Sequence, residues 1–258
     1  MLTSTQNPLV KNIRKLHAAK ERHSQQLCLL EGTHLLQEAC AVGYPLEILC
    51  VTPTWQQQHS ALWETAISKC DRVELVSDEV IKAMATTVNP DGVIAIAPRL
   101  AFPQPPIPAP LTIVLSTLQD PGNLGTIVRT ATAAGASGLW VSQDSVDLDH
   151  PKVLRASAGQ WFRLPMGTSQ NLEQLIASYQ AQGVQVVATT SHTDSSYWEV
   201  DLRRPSLILL GNEGAGLSDK LIQRADVRVK IPMQAEVESL NVAIAASLIL
   251  YEAKRQRR

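Results

Sequence analysis

Apolar positions along the first 97 residues come in short runs that switch between helical and strand spacing. Leu9, Ile13 and Leu16 recur at helical intervals behind Pro8, which predicts a helix over residues 8–24 with a thin apolar stripe. QLCLL reads as a strand, EGTHLLQEACAVG as a helix closed by Gly43, and LEILCV as a second strand. Residues 56–69 read as helical, RVELV as a strand, SDEVIKAMA as a helix capped by Ser77, and GVIAIA as a last strand. The alternation predicts a small α/β domain over residues 1–97. Six prolines in the 13 positions 98–110 break the pattern and predict a semi-rigid, extended linker.

From residue 111 the alternation resumes and predicts a second α/β domain over 111–258. LTIVL, GLWVS, VQVVATT, SLILLG and VRVKI are the expected strands. A helix over about 123–134 should end at Gly135, HPKVLRASAGQWF should be helical in part, and NLEQLIASYQAQG is amphipathic with Gly183 at its end. After Asn241 the chain is apolar on every side, which predicts a buried helix. Two of these strands run into long loops: GNEGAG after LILL, and a polar loop carrying Glu236, Glu238, Ser239 and Asn241 after VRVKI and Pro232. Loops of this kind, at the carboxyl ends of strands, build small-molecule sites in α/β sheets. Gly211, Gly214 and Gly216 follow the order G-x-x-G-x-G, which is not a dinucleotide fingerprint.

Composition narrows the class. The 258 residues are 45% hydrophobic and 18% charged, and no apolar run approaches the length of a membrane span. Cys28, Cys40, Cys50 and Cys70 form no CxxC pair, so neither a zinc site nor a disulfide framework is expected. The first residues lack the apolar region of a signal peptide, and the unpatterned cysteines make a reducing cytoplasm the expected compartment. A net charge of −1 conceals basic clusters: Lys11, Arg14, Lys15, Lys20 and Arg22 near the start, and four basic residues among the last five. On the residues alone these serve equally as phosphate contacts or as solvated surface.

The candidate chemistry lies in three tracts. In DPGNLGTIVRTATAAG, residues 120–135, Asp120 and Pro121 set a turn and Asn123 is placed to cap the helix. Arg129 points away from the apolar face among small neighbours, suited to a phosphate or to solvent. Glu213 sits among backbone N–H groups in the glycine-rich loop, where it could orient a ligand or stabilise the loop. Ser239 and Asn241 precede the apolar helix, and Ser239 taken alone reads as a helix cap before it reads as a ligand contact. The histidines form no metal-ligand pattern, and neither a GxSxG elbow nor a P-loop is present.

Taken in order, DPGNLGTIVRTATAAG, LILLGNEGAGLS and IPMQAEVESLNVAIAASLILYEA resemble the three motifs of the SpoU, or TrmH, family of RNA 2′-O-ribose methyltransferases in the SPOUT superfamily. NPLVK and LLEGTHLLQEA are similar to the substrate-binding domain, related to ribosomal protein L30e, that many members carry. The resemblance implies an L30e-like α/β domain followed by a SPOUT α/β domain with a trefoil knot. It implies S-adenosylmethionine as cofactor, lined by Gly211, Ile231, Met233 and Leu240. Arg129 would be the catalytic arginine and Asn123 its motif partner, with Glu213 and Asn241 organising the site and Ser239 beside them. It also implies a homodimer acting on structured RNA, without metal or membrane. Lys11, Arg14 and Lys15 are the expected RNA contacts. Large-subunit ribosomal RNA is favoured over transfer RNA. A non-catalytic RNA-binding relative and a base methyltransferase are the competing readings. Ala243 stands where many relatives carry serine.

Overall fold

A computed structural model describes residues 1–234 and 237–258, so Glu236 lies outside the described residues. In chain order the elements begin α1 (Pro8–Lys15), α2 (Ala19–Gln25), β1 (Leu27–Glu31), α3 (Thr33–Ala41), β2 (Leu46–Val51), α4 (Pro53–Gln58) and α5 (Ser60–Ile67). Next come β3 (Cys70–Leu75), α6 (Asp78–Met84), β4 (Val93–Pro98), β5 (Leu111–Leu115), α7 (Pro121–Ala134), β6 (Gly138–Ser142) and α8 (Pro151–Ala156). The remainder is β7 (Met166–Ser169), α9 (Leu172–Gln180), β8 (Gln185–Thr189), β9 (Ser206–Leu210), α10 (Asp219–Arg224), β10 (Val227–Val229) and α11 (Val242–Gln256). The helix expected over 8–24 is thus two, broken at residues 16–18, and the one expected over 56–69 is also two, α4 and α5. β7 and α10 had no clear period in the sequence.

The chain forms two compact units. One comprises Met1–Ala101 together with Asp147–Phe162, and the other Phe102–Val146 with Arg163–Arg258. This differs from boundaries at 97 and 111 in two ways. First, the second half of the proline-rich stretch belongs to the second unit. Pro105 is buried against Gly138, the Tyr179 hydroxyl donates to the Pro106 carbonyl at 3.3 Å, and the Arg257 guanidinium donates to that of Pro110 at 2.6 Å. This part of the stretch is a packed strap rather than a free tether. Second, residues 147–162 pack into the first unit although they lie between two strands of the second.

In the first unit a four-stranded sheet runs β1-β4-β2-β3, with β4 antiparallel to both neighbours and β2 parallel to β3. Val10, Ile13 and Leu16 pack with Leu29, Val80, Ile81 and Met84 in its core. The segment 147–162 is held there by buried charge. Arg22 is fully buried, donates to Asp147 at 2.9 Å and to Asp149 at 3.1 Å, and gives its remaining hydrogen bonds to the Leu16 and His17 carbonyls. Arg99 also pairs with Asp149. Arg22 is therefore removed from the phosphate-binding cluster expected near the N-terminus, whereas Lys11, Arg14 and Lys15 are exposed on α1. His23, Asp147 and Asp149 converge, but the two guanidiniums already take up the carboxylate oxygens.

A second buried carboxylate, Glu31, accepts from the backbone N–H groups of Thr86 and Thr87, each at 3.0 Å, and from Arg155 at 2.8 Å. Burial alone would raise this carboxyl, but the Thr86 and Thr87 hydrogen bonds and the Arg155 charge outweigh it and hold it below the usual range. The stabilisation is present above the unfolded carboxylate pKa and is lost as pH falls through the lowered folded value. Tyr44 stacks edge-on to Trp161 and tilted on Phe162, completing the attachment.

The second unit is built on a six-stranded, all-parallel sheet in the order β10-β8-β9-β5-β6-β7. β5 and β9 are buried along their whole length, as expected of strands covered on both faces. They pair in register from Leu111 with Ser206 to Leu115 with Leu210. The chain winds from β5 outward through β6 and β7, then returns to the other side of β5. The β5/β9 junction is therefore the topological switch point.

Replacing Arg22 with methionine should take one of the cationic partners from Asp147 and Asp149 and lower stability by about 3 kcal/mol. The change would be read as a lower urea midpoint at unchanged slope. An unaltered midpoint would show that the pairs contribute nothing net.

Candidate active site

The loops leaving β5 and β9 meet at the switch point. After β5 the chain turns through residues 116–120 into α7, whose first turn is capped by Asp120, the side chain accepting from the Asn123 N–H at 2.8 Å. Asp120, not Asn123, is thus the cap, and this frees the Asn123 amide for another task. Its Nδ2 donates to Glu213 Oε1 at 2.9 Å, while its Oδ1 accepts from Asn241 Nδ2 at 3.0 Å. One primary amide therefore ties together the first turn of α7, the glycine-rich loop and the start of α11.

Asn241 also caps α11, its Oδ1 accepting from the Ala243 and Ile244 N–H groups at 2.9 and 3.4 Å. Because Oδ1 is committed to the helix, Nδ2 is oriented towards Asn123. Ser239, read from the sequence as an alternative cap, lies two residues before the actual cap, Asn241, and is exposed.

The glycine-rich loop is a closed turn. Asn212 and Gly216 exchange backbone hydrogen bonds at 3.1 and 3.0 Å, and the Asn212 Oδ1 accepts from the Gly214 and Ala215 N–H groups at 2.9 and 3.0 Å. The turn brings Gly216 across Gly211 so closely that a Cβ on Gly211 would fall on the Gly216 carbonyl. Gly216 itself has φ +69°, the left-handed region that favours glycine. Asn212 Nδ2 reaches across to the Thr117 carbonyl at 2.9 Å. Local propensity gave no sign of the roles of Asn212 and Thr117. The only signal was the position of Asn212 inside the GNEG tract.

Beside this loop opens a cleft of about 530 Å³. Gly211, Ile231, Met233 and Leu240 line it, as do Glu213 and Ser239. The wall combines backbone of the glycine-rich loop and apolar side chains with polar groups, among them three carboxylates, Glu213, Asp219 and Glu238, and one lysine, Lys230. The size is that of a pocket for a nucleoside-sized ligand, and the acids favour one that carries positive charge.

Arg129 is not part of this group. It is exposed on α7 and does not line the cleft, and among the described residues its side chain makes no hydrogen bond or ion pair. Lys11, Arg14 and Lys15 belong to the first unit. The C-terminal basic cluster is partly committed to structure: Lys254 donates to the Ala133 carbonyl at the end of α7, and Arg257 to the Leu202 and Pro110 carbonyls, each at 2.6 Å.

α11 is not buried on every side. Ala243, Ala246, Ile249, Leu250 and Ala253 are buried and the helix packs on α7, but Ile244, Leu248 and Tyr251 are 52%, 37% and 52% exposed. Their spacing of four and then three puts them on one stripe.

Comparison with known proteins gives a consistent match over both units. Residues 110–251 match the model of the SpoU rRNA Methylase family, and residues 7–95 that of the MRM3-like substrate binding domain. An uncharacterized tRNA/rRNA methyltransferase of Synechocystis sp. is 47% identical over 257 residues, covering 99% of this chain and 94% of that protein. The 23S rRNA (guanosine(2553)-2′-O)-methyltransferase RlmP of Bacillus subtilis is 31% identical over 255 residues, 98% of each chain. Among solved structures, the AdoMet-bound rRNA methyltransferase of Sinorhizobium meliloti superposes with a TM-score of 0.87 at 34% identity, covering 98% of this chain and 97% of that one.

Gly211→Ala should force the Gly216 carbonyl away and destabilise the second unit by about 1–3 kcal/mol. Thermal denaturation checks this, and an unchanged Tm would mean that the loop is not held as described.

Proposed function

The chain belongs to the SpoU rRNA methylase family, and from that premise we propose that it transfers the methyl group of S-adenosylmethionine to a ribose 2′-hydroxyl of large-subunit ribosomal RNA. The observation that carries the reading is the Asn123 amide. It joins Glu213 to Asn241 at the switch point, beside a cleft with an acidic and apolar lining.

The cleft fits the cofactor. Gly211 supplies bare backbone against which a flat ring can lie. Ile231, Met233 and Leu240 supply apolar cover, and Glu213, Asp219 and Glu238 suit a sulfonium cation. When bound, S-adenosylmethionine supplies an electrophilic methyl group, so the reaction needs no metal. The protein's part is to position a weak nucleophile and keep water out. Glu213, fixed by Asn123, holds the rim of the cleft where the ribose enters, with Ser239 beside it. Arg129, which has no side-chain partner within the described residues, engages the hydroxyl or its neighbouring phosphate and stabilises the oxygen as its proton passes to the Glu213 carboxylate. The 2′-hydroxyl also distinguishes RNA from DNA. Lys11, Arg14 and Lys15, exposed on α1, contact phosphates and add the electrostatic part of RNA binding.

Two features support a homodimer. The exposed stripe Ile244, Leu248 and Tyr251 on α11 gives a second copy an apolar face to cover. Arg129 does not line its own chain's cleft, which suits a site completed across the two-fold axis. We further read the return of α11 onto α7 as the region of the trefoil knot. No helix among the described residues is long and apolar enough to cross a membrane. The reading places the enzyme in the cytoplasm, where ribosomal RNA is made.

Labelled S-adenosylmethionine, unmodified ribosomal RNA and bulk transfer RNA should give one ribosomal nucleotide resistant to alkaline cleavage. Arg129→Ala should reduce that signal by at least about 100-fold with cofactor affinity unchanged. Label in a base, or in transfer RNA only, would overturn the substrate assignment. Light scattering should show a dimer that Leu248→Glu converts to monomer with loss of transfer. A monomeric parent protein would remove the dimer from the reading.

A further inference from the structure

We propose that Asn212 is a positioning residue for methyl transfer, acting through a strained residue, Thr117, in the turn between β5 and α7. The inference rests on the methyltransferase reading for its functional consequence but on the geometry of two loops for its mechanism. Thr117 has φ +58°, a left-handed conformation that a β-branched residue rarely adopts. Such a residue persists only where its surroundings over-determine it. Here every polar atom of Thr117 is engaged. Its N–H donates to Ser142 Oγ at 2.7 Å, its hydroxyl donates to Asp144 at 3.0 Å, and its carbonyl accepts from Asn212 Nδ2 at 2.9 Å and, within its own turn, from Gln119 Nε2 at 3.4 Å. The following residues are tied to the same neighbour, Leu118 N–H donating to Ser145 Oγ at 3.0 Å and Gln119 Nε2 to the Asp144 carbonyl at 2.9 Å.

Two of these anchors, Ser142 at the end of β6 and Asp144 in the loop after it, do not line the cleft. The third comes from the glycine-rich loop and is the only one that crosses to the cofactor side. It also closes a ring. From Asn212 the path crosses to Thr117, follows three residues to Asp120, and crosses from Asp120 to the Asn123 N–H. It then runs through the Asn123 side chain to Glu213, which is covalently next to Asn212. Within a closed ring, Glu213 and the first turn of α7 cannot shift independently. Once the Asn212–Thr117 bond is broken, Glu213 is held to α7 by a single exchangeable hydrogen bond, and the relative placement of cleft and α7 loosens. Asn212 suits the task because its two ends differ. The oxygen accepts from Gly214 and Ala215 and shapes its own loop, while the NH₂ group reaches the other loop.

This division makes the proposal separable from simple loop stability. Asn212→Asp keeps the acceptor for Gly214 and Ala215 but sets an oxygen against the Thr117 carbonyl. Asn212→Ser also keeps an acceptor and adds no charge, so the pair distinguishes the lost bond from the added charge. In both variants S-adenosylmethionine affinity by calorimetry should stay within about threefold, while the single-turnover rate on ribosomal RNA should fall about 100-fold, as expected for a small misplacement of reacting groups. Hydrogen–deuterium exchange should rise across residues 116–123 and stay unchanged across 213–217. Parental rates with parental exchange in 116–123 would overturn the proposal. Cofactor affinity, Tm and rate all lost together would also overturn it, by reducing Asn212 to a structural role. If the unsubstituted protein methylated no ribose, the function reading would fail, and the exchange data would still decide whether the latch exists.

Discussion

The parallel pairing of β5 with β9 is the contact on which the site depends. Asn123 and Glu213 are 90 residues apart in sequence, and they meet because Leu115 and Leu210 end their strands side by side. Both strands are buried along their full length, so a slip in register would put the polar ends of both loops into the core. The switch point therefore delivers two loops to one place, but it does not orient them. Orientation comes from amides. Asn123 links Glu213 to Asn241, and Asn212 links the glycine-rich loop to Thr117. Primary amides suit such joints because each can donate on one side and accept on the other without carrying charge into a partly buried place.

The first unit solves a different problem with different chemistry. A segment that lies between two strands of the second sheet must be kept on the first, and it is kept by ion pairs: Arg22 and Arg99 with Asp147 and Asp149, and Arg155 with Glu31. A buried guanidinium is expensive to leave without its partners. Segment 147–162 is thus bound to the first unit by the penalty of leaving it more than by the attraction of arriving.

Much of this was legible in the chain. β2, β5 and β6 follow their apolar runs residue for residue, and Gly43, Gly135 and Gly183 fall in left-handed positions at or just beyond helix ends, as C-terminal glycines should. The motif residues Gly211, Glu213, Ile231, Met233, Ser239 and Leu240 come together at one cleft. What escaped was long-range pairing. Nothing in the local pattern distinguishes Arg22 from Lys20, yet one is fully buried and the other exposed. In the same way, Asn123 looked like a cap because it stands near a helix start, and only the presence of Asp120 three residues earlier releases it. Capping is a competition between neighbours, and the residue type alone does not name the winner.

The final helix shows why an apolar pattern does not translate directly into burial. α11 is apolar on more than one face, and such a helix is normally read as interior. Its main helix contact among the described residues is α7, and the small residues Ala243, Ala246 and Ala253 let the two approach closely. Ile244, Leu248 and Tyr251 then remain on a face that packing within the chain does not cover. A single isolated apolar side chain at the surface needs no explanation, but three on one stripe, on a helix whose cap belongs to the site network, do. In the proposed dimer both faces of α11 are satisfied, one by α7 and one by the second copy. Asn241 then fixes the N-terminus of that helix to Asn123, so the interface and the amide network share one element. The pattern that suggested a wholly buried helix would then describe the assembly rather than the chain.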